Sequence, residues 1–231
     1  MENKVSIILS TYNEANIIKK TVDEIFSKIE NVEIVLVDDN STDGTLNAIK
    51  SIDNENLKIY SRKTRGLASA FLLGMINTRG KYVGWTDSNM PQLIDHFKEM
   101  IEKLNEYDVV LLSRYVKGGG DRRSKMRILS SRILNYVCRT ILGNEIKDYT
   151  SSIFIMHRRV LELGVPIAYG HGEFFIEFLY KIKKNGVRIL EIPYIQPPDE
   201  EGSKTASSIY NFFRLGFRYL IRILITRFRI N

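Results

Sequence analysis

Hydrophobic and polar positions follow two different patterns along the first half of the chain. Short apolar runs, typical of buried strands, lie at 5–9, 33–37, 57–60, 82–86 and 109–112. Stretches with helical spacing lie between them at 14–29, 45–52, 67–77 and 91–104. Strands that alternate with helices in this way favour right-handed βαβ units and a mostly parallel sheet. The pattern therefore predicts an α/β fold.

The second half is less regular. It predicts a helix over 124–142, a strand over 152–156, a helix over 173–184 and a final strand over 187–192. Three prolines and a charged loop follow. We expect one domain over residues 1–204 and a separate tail over 205–231, because 231 residues suffice for one large α/β domain with an appendage.

The tail combines positive charge with an apolar face. Its arginines and most of its large apolar side chains fall on opposite sides of a helix with a period of 3.6 residues. The arginine stripe consists of Arg214, Arg218, Arg222 and Arg229, and the apolar side of Phe212, Phe213, Leu220, Ile223 and Leu224. A spanning helix would be costly, at roughly 2.5–3.5 kcal/mol per arginine near the bilayer centre. We expect an interfacial helix with its arginines at lipid headgroups; the alternative is an amphipathic helix packed on the domain or on a partner.

Charge and composition narrow the class of protein. The net charge is +7, and the segment 205–231 has five arginines and no acid; a second basic stretch runs over 114–147. The apolar face of the tail is too wide to favour nucleic-acid binding. The single cysteine, Cys138, cannot form an internal disulfide, and no signal peptide is evident, so we expect a cytoplasmic setting.

Two common nucleotide-binding motifs are absent from the sequence. There is no GxGxxG after the first strand and no GxxxxGK[ST], which argues against dinucleotide oxidoreductases and P-loop NTPases. The histidines have no HExxH-like spacing. In a parallel sheet, ligands bind beyond the carboxyl ends of the strands, so the loops 10–13, 38–44, 61–66, 87–91 and 113–120 are the candidate site.

Acidic and amide side chains stand in two of these loops. Asp38 and Asp39 follow the second strand in VLVDDNSTDGT. Adjacent carboxylates repel each other unless a ligand or backbone donors use them, so we expect hydrogen bonds to a base imide or a ribose hydroxyl. The alternative is turn chemistry, in which Asp and Asn side chains cap helices and form side-chain turns. Asp87 and Asn89 follow the fourth strand in WTDSNMP. Their position suggests a metal or phosphate site, although the second ligand is neutral.

Taken together, these segments resemble a known family. STYNE (10–14), VDDNSTDGT (37–45), RKTRGLASA (62–70), WTDSNMP (85–91) and SRYVKGGG (113–120) occur in the family's order, followed by DYTSSIFIMHRRVLE (148–162) and ILEIPYIQPPDEEGSK (189–204). They resemble the GT-A-fold family 2 glycosyltransferases, most closely the dolichol-phosphate mannosyltransferases and other polyprenyl-phosphate sugar transferases. The resemblance implies a GT-A fold, a Rossmann-like single domain with a mostly parallel sheet, here followed by a C-terminal amphipathic helix.

The resemblance also implies roles for individual residues. The nucleotide pocket would be lined by Ser10, Tyr12, Glu14, Asp38, Asp39 and Arg65. Asp87 and Asn89 would hold Mg²⁺ or Mn²⁺, with Asp87 facing the diphosphate and the donor sugar. The acceptor phosphate would be bound by Arg114, Arg127 and Lys204, and the catalytic residues would be Asp87, Arg114 and Arg127.

The implied function is transfer of a sugar, mannose or glucose, from a GDP- or UDP-linked donor to a polyprenyl or dolichyl phosphate. The protein would lie at the cytoplasmic surface of a membrane and contact it through residues 208–231. The resemblance also allows a membrane partner subunit. Three departures keep alternatives open. Asn89 replaces an acid of the metal motif, Pro91 replaces a glutamine ligand, and Pro198 stands where the family has an arginine before the final motif. The alternatives are a different glycan acceptor, or a catalytically impaired homologue that binds nucleotide or membrane.

Overall fold

The computed structural model describes residues 4–151, 153–170, 172–198 and 209–230. Its strands are β1 (Val5–Thr11), β2 (Val32–Asp38), β3 (Leu57–Ser61), β4 (Tyr82–Trp85), β5 (Val109–Ser113), β6 (Gly120–Asp121), β7 (Phe154–His157), β8 (Ile189–Pro193) and β9 (Ile195–Gln196). Its α-helices are α1 (Ile18–Lys28), α2 (Thr45–Lys50), α3 (Leu67–Ile76), α4 (Phe97–Lys103), α5 (Lys125–Leu142), α6 (Val160–Leu163), α7 (Glu173–Lys184) and α8 (Ile209–Arg229).

Seven strands form one sheet in the order β3-β2-β1-β4-β7-β5-β8, and β6 pairs with β9 in a separate two-stranded ladder. β1 pairs in parallel with both β2 and β4, and β5 pairs in parallel with β8. β2 and β5 are buried along their whole length, which explains their continuous apolar runs. The predicted α/β class and mostly parallel sheet are confirmed.

The exception to the parallel arrangement is β7, which lies antiparallel between β4 and β5. The sequence predicts a strand here but not its direction, because an apolar strand has the same pattern read either way. β7 adds its apolar face to the core, where Phe154 stacks on Phe175 of α7 at a centroid distance of 4.8 Å. Phe71 of α3 meets Trp85 of β4 edge to face at 4.5 Å.

Two predicted helices begin differently in the structure. The helix expected from residue 14 begins at Ile18, because Asn13 adopts a left-handed φ of 55° and the Glu14 amide donates to Thr45 Oγ1 at 2.8 Å. The helix expected from residue 91 opens with a 3₁₀ segment, Pro91–His96, before α4. In both places the chain leaves the sheet through a loop tied down by side chains, and those loops line the candidate site.

The tail forms the predicted helix, α8, but two of its arginines, Arg218 and Arg222, face the domain and not outwards as expected, whereas Arg229 is exposed. Within α8, the structure describes side chains from Gly216 onwards. Arg218 and Arg222 pair with the buried acids Glu173 and Glu177 of α7 at 3.0 and 3.1 Å. Ile223, expected on the exposed apolar side, is fully buried in the core. The alternative interpretation, a helix packed on the domain, is therefore correct for this face. The buried carboxylates of α7 would be costly without a countercharge, and the guanidinium groups of α8 supply it.

The opposite face of α8 is apolar and exposed, and it continues on to α5, against which α8 packs. We call this region the α5–α8 apolar surface. It consists of Met126, Leu129, Ile133 and Tyr136 of α5 and Phe217, Leu220, Ile221, Leu224, Ile225 and Phe228 of α8. Exposed apolar patches of this extent are typical of contact surfaces. None of the helices in the described ranges has the length and apolarity that a bilayer-spanning segment requires.

Candidate active site

The carboxyl ends of β2, β1 and β4 lie side by side, since these strands are adjacent and parallel. The loops that follow them therefore meet at one edge of the sheet, as expected for a ligand site in an open α/β fold. This edge brings together most of the residues that the sequence indicates. The site has two sides. The predicted nucleotide contacts lie at the ends of β1, β2 and β3, which we call the nucleotide side, and the predicted metal ligands and Arg114 lie at the ends of β4 and β5, which we call the metal side.

The acids after β2 are saturated with protein donors. Asp38 accepts hydrogen bonds from the backbone N–H of Ser41 at 3.1 Å and from the Ser41 hydroxyl at 2.5 Å. Asp39 accepts from Arg62 Nε at 2.5 Å and from the Gly66 N–H at 2.8 Å. Both acids are buried. Backbone and side-chain donors of the protein thus account for the adjacent carboxylates, and a contact of either acid with nucleotide stays a prediction.

The loop after β1 connects the two sides of the site. Ser88 Oγ donates to the Ser10 carbonyl at 2.7 Å and also to the Glu14 carboxylate. Glu14 in turn accepts from the Thr11 hydroxyl at 3.2 Å. The loop after β1 is thereby fixed to the segment that carries Asp87 and Asn89.

Tyr12 and Arg65, both predicted nucleotide contacts, lie against each other. The Arg65 guanidinium stands over the Tyr12 ring, 3.6 Å from its centroid, although the two residues come from different loops. Such a stack is a flat, positively charged platform at the surface, because Arg65 itself is exposed. In a nucleotide, the planar base could stack on this platform, and the positive charge of Arg65 would attract the phosphates.

Asp87 differs from the acids after β2 in having no hydrogen-bond donor among the residues that the structure describes. Among the described residues, no side chain or backbone N–H hydrogen-bonds the Asp87 carboxylate or the Asn89 amide, and both residues are only partly accessible. Burial raises the pKa of the Asp87 carboxyl above its usual value, although the charges of Arg114 and Arg123 act in the opposite direction. Such a carboxylate, short of hydrogen bonds, is suited to a cation.

The protein provides few ligands for that cation. No group of three or more His, Cys, Asp or Glu side chains that could hold a metal occurs in the described part of the chain. Mg²⁺ is often held by only one or two protein oxygens together with substrate phosphates. The Asp87 carboxylate and the Asn89 carbonyl oxygen fit that role, and substrate phosphates would supply further oxygen ligands. Pro91 is buried at the start of the 3₁₀ segment and offers no ligand.

Arg114, at the end of β5, is held in a fixed position by Asp148. Its Nε and one terminal nitrogen donate to the two Asp148 oxygens at 2.8 and 2.7 Å, and the same nitrogen donates to Thr150 Oγ1 at 2.7 Å. Burial by itself would lower the pKa of Arg114, but the Asp148 carboxylate outweighs it and raises the pKa. The remaining nitrogen, Nη1, lies 3.8 Å from Asp121. Arg114 is thus a permanent positive charge whose orientation is set by the protein.

Three residues of this side were not singled out from the sequence. Asp121 holds Arg123 in a bidentate pair at 2.9 and 2.6 Å, and Asp148 holds Arg114. Arg123 was counted only as part of the basic stretch, and Asp148 only as the start of a motif. Their sequence signal was the motif SRYVKGGG with the DRR that follows it, and DYTSS, but Arg114 lies 34 residues from Asp148. Such pairings depend on the fold.

The other two predicted acceptor residues are placed differently. Arg127 lies partly buried in the first turn of α5, on the same segment as Asp121 and Arg123. Lys204 lies outside the described residues. The geometry therefore brings Asp87, Asn89 and Arg114 to one edge, while the contribution of Arg127 and Lys204 to phosphate binding stays a prediction.

Comparison with protein families gives one match over most of the chain. The sequence model described as glycosyl transferase family 2 matches residues 6–164. A dolichol-phosphate mannosyltransferase from Pyrococcus furiosus is 32% identical over 203 residues, which cover 83% of this chain and 56% of that protein. An uncharacterized glycosyltransferase from Rickettsia bellii is 29% identical over 116 residues, 48% of this chain and 17% of that protein. The chain thus spans little more than half of the length of the Pyrococcus relative.

Solved structures share the fold. Glucosyl-3-phosphoglycerate synthase from Mycobacterium tuberculosis in complex with UDP aligns with a TM-score of 0.73 and 19% identity, covering 100% of this chain and 82% of that one. The same enzyme in complex with Mn²⁺ and UDP-glucose aligns with a TM-score of 0.70 and 17% identity, covering 100% and 80%. At these identities the likeness concerns the fold.

Proposed function

The chain belongs to glycosyl transferase family 2, and we propose on that premise that it transfers a hexose from a nucleoside diphosphate sugar to a polyprenyl phosphate, with inversion, at a membrane surface. The observation that carries the transferase assignment is Asp87. It is a carboxylate at the end of a core strand to which none of the described residues donates a hydrogen bond, with Arg114 and Arg123 as its neighbouring positive charges. A diphosphate and a divalent cation would supply the missing partners.

The donor would bind across the nucleotide side of the site. The Tyr12–Arg65 stack offers its face to the base, and Asp38 and Asp39 hold the loops that shape the pocket. Asp87 and Asn89 would hold Mg²⁺ or Mn²⁺, which supplies Lewis-acid stabilisation of the departing diphosphate when bound. The complexes of the Mycobacterium enzyme with Mn²⁺ and UDP-glucose support this assignment.

The chemistry requires compensation of negative charge more than proton transfer. An oxygen of the acceptor phosphate would attack the anomeric carbon, and the bond from that carbon to the nucleoside diphosphate would break with its electron pair on the diphosphate. The acceptor is already anionic, so no general base is needed. Arg114, fixed by Asp148, would face the charge that develops, and because its orientation is preset it needs no reorganisation.

The polyprenyl phosphate acceptor is supported by the α5–α8 apolar surface and by the name of the Pyrococcus relative. An exposed apolar surface next to basic segments is suited to the headgroup boundary of a membrane, with the large side chains of α8 facing the lipid. This orientation replaces the one expected from the sequence, in which the arginines faced the headgroups. A second candidate acceptor is a small phosphorylated compound, favoured by the fold shared with glucosyl-3-phosphoglycerate synthase.

The experiment is a transfer assay with product identification. The protein is incubated with GDP-mannose or UDP-glucose, Mn²⁺, and either vesicles containing polyprenyl phosphate or soluble 3-phosphoglycerate. We expect a polyprenyl phosphohexose, identified by mass spectrometry, and release of the nucleoside diphosphate. A hexosylated phosphoglycerate would support the second candidate. Failure to release nucleotide from any common nucleotide sugar with either acceptor would contradict both.

A further inference from the structure

A cavity of about 460 Å³ lies between α5 and the segment that follows β5. It is lined by Tyr115, Arg132, Ile133, Asn135, Tyr136 and Arg139. Arg132 and Arg139 are seven residues apart, two turns of α5, so both point from the same side of the helix. The cavity is therefore a cationic pocket with aromatic and aliphatic walls, and none of its residues is assigned a role in the proposed transfer.

The two arginines are the polar groups of the cavity that await a partner. Neither forms an ion pair within the described ranges, and the Arg139 Nε is buried without a hydrogen bond. A buried donor without an acceptor is destabilising, so this arrangement favours an anion supplied from outside. Guanidinium groups bind phosphate oxygens through parallel N–H donors, which makes a phosphate the best fit.

Two other polar residues of the cavity, Asn135 and Tyr115, already have hydrogen-bond partners within the protein. The Asn135 amide donates to Thr150 Oγ1 at 2.7 Å, and its carbonyl oxygen accepts from the Tyr149 N–H at 2.7 Å. The Tyr115 hydroxyl donates to Ser131 Oγ at 2.8 Å. Tyr115 and Asn135 thus form a wall between the cavity and Arg114, whose guanidinium carbon lies 5.1 Å from the Tyr115 ring centroid. The pocket is adjacent to the acceptor side of the active site but separate from it.

The rim of the cavity is apolar and continuous with an exposed surface. Ile133 and Tyr136 are 55% and 64% exposed and belong to the α5–α8 apolar surface. A ligand with its phosphate on Arg132 and Arg139 would extend its remaining atoms over that surface. We propose that the cavity binds the phosphate of an anionic membrane phospholipid that is not the acceptor of the reaction. This rests on the proposed function only in placing the α5–α8 apolar surface against a bilayer.

The first test measures partition of the full chain on to vesicles without acceptor lipid. The vesicles are phosphatidylcholine alone or phosphatidylcholine mixed with phosphatidylglycerol, and the variant is Arg132→Gln/Arg139→Gln. We expect the variant to bind the mixed vesicles at least about tenfold more weakly than the wild type, with binding to the neutral vesicles unchanged. The matched control, Lys20→Gln/Lys50→Gln, removes the same charge from exposed positions of α1 and α2 and should bind like the wild type.

A second test distinguishes a site from diffuse attraction. Dihexanoyl phosphatidylglycerol, below its micelle concentration, should raise the melting temperature of the wild type but not of the double variant. Arg139→Lys keeps the charge but removes the forked donors of the guanidinium group, so the rise in its melting temperature should be smaller. This single variant tests the site even if the double variant does not fold. An equal shift with inorganic phosphate would reassign the site to free phosphate and overturn the lipid assignment.

Other outcomes also decide the proposal. Equal losses in the control and in the arginine variant would show diffuse electrostatics, and equal partition of wild type and arginine variant would remove the site altogether. Neither readout involves sugar transfer, so failure of the transfer assay and failure of the lipid site are distinguishable.

Discussion

β2 and β4 lie on either side of the same strand, β1, yet the acids that follow them differ in their hydrogen bonding. Asp39, after β2, accepts a guanidinium N–H and a backbone N–H, whereas Asp87, after β4, accepts none among the described residues. A carboxylate with its donors in place holds the loop around it. A carboxylate that the fold leaves unsatisfied costs stability and is ready for a ligand. The same residue type at the same edge therefore has two physical roles.

The largest effect on stability should come from replacing an acid whose donors are all within the protein. Asp148→Asn removes the countercharge of Arg114, and both groups are almost fully buried. Because an unpaired buried charge is strongly destabilising, we expect a loss of about 3–5 kcal/mol in the free energy of unfolding. Denaturant titration measures it. Asp53→Asn, at an exposed position, serves as the control and should change stability by no more than about 0.5 kcal/mol.

Asp87→Ala should show the reverse pattern, with activity lost and stability kept. Turnover should fall by about 10²–10³-fold, the range found when one stabiliser of a transition-state charge is removed. The melting temperature without ligand should stay equal or rise, because a poorly satisfied carboxylate is removed. Transfer rate and thermal unfolding are measured on the same preparation, beside Asp53→Ala. A folded Asp87→Ala protein with the wild-type rate would refute the metal side of the site.

Asp39→Asn tests the saturated end of β2 directly. The variant loses a charge-assisted bond to Arg62 and weakens the bond to the Gly66 N–H at the start of α3. Bonds to charged groups contribute about 1.5–3 kcal/mol, so we expect a stability loss in that range, measured without nucleotide by denaturant titration. If stability were unchanged while nucleotide affinity fell, Asp39 would belong with the ligand contacts and the contrast with Asp87 would be lost.

The smallest effect is expected from Asn89→Asp. A second carboxylate beside Asp87 should tighten Mn²⁺ binding by about tenfold or more, since affinity for hard cations rises with ligand charge. In EDTA the same variant should melt below the wild type, because two carboxylates then repel each other. A Mn²⁺ titration followed by thermal unfolding reports both. Asn47→Asp, on the exposed side of α2, should change neither.

Much of the fold could be predicted because strand and helix periods differ clearly in the first half of the chain. The strand ends then indicated the candidate loops, and Asp87, Asn89 and Arg114 do lie at one edge. What could not be predicted depends on partners that are distant in sequence. The pairing of Arg114 with Asp148 and the donors of Asp39 cannot be found from local pattern.

The orientation of the tail also depends on partners that are distant in sequence. Helical periodicity separates the arginine side of α8 from its apolar side, but it does not say which side the domain covers. Glu173 and Glu177 decide this, because both are buried on α7 and pair with Arg218 and Arg222. In the sequence these acids look like the solvated face of an ordinary helix. The direction of β7 was unpredictable for a related reason, since neighbouring strands and not its own residues determine it.

The central claim is that Asp87 awaits a cation that binds together with a nucleotide. The most direct measurement is the melting temperature of the wild type and of Asp87→Ala with UDP or GDP, each in Mn²⁺ or in EDTA. The account predicts a nucleotide-dependent rise for the wild type in Mn²⁺ only, and no rise for Asp87→Ala in either condition. A rise of the same size in EDTA, or in Asp87→Ala, would contradict it.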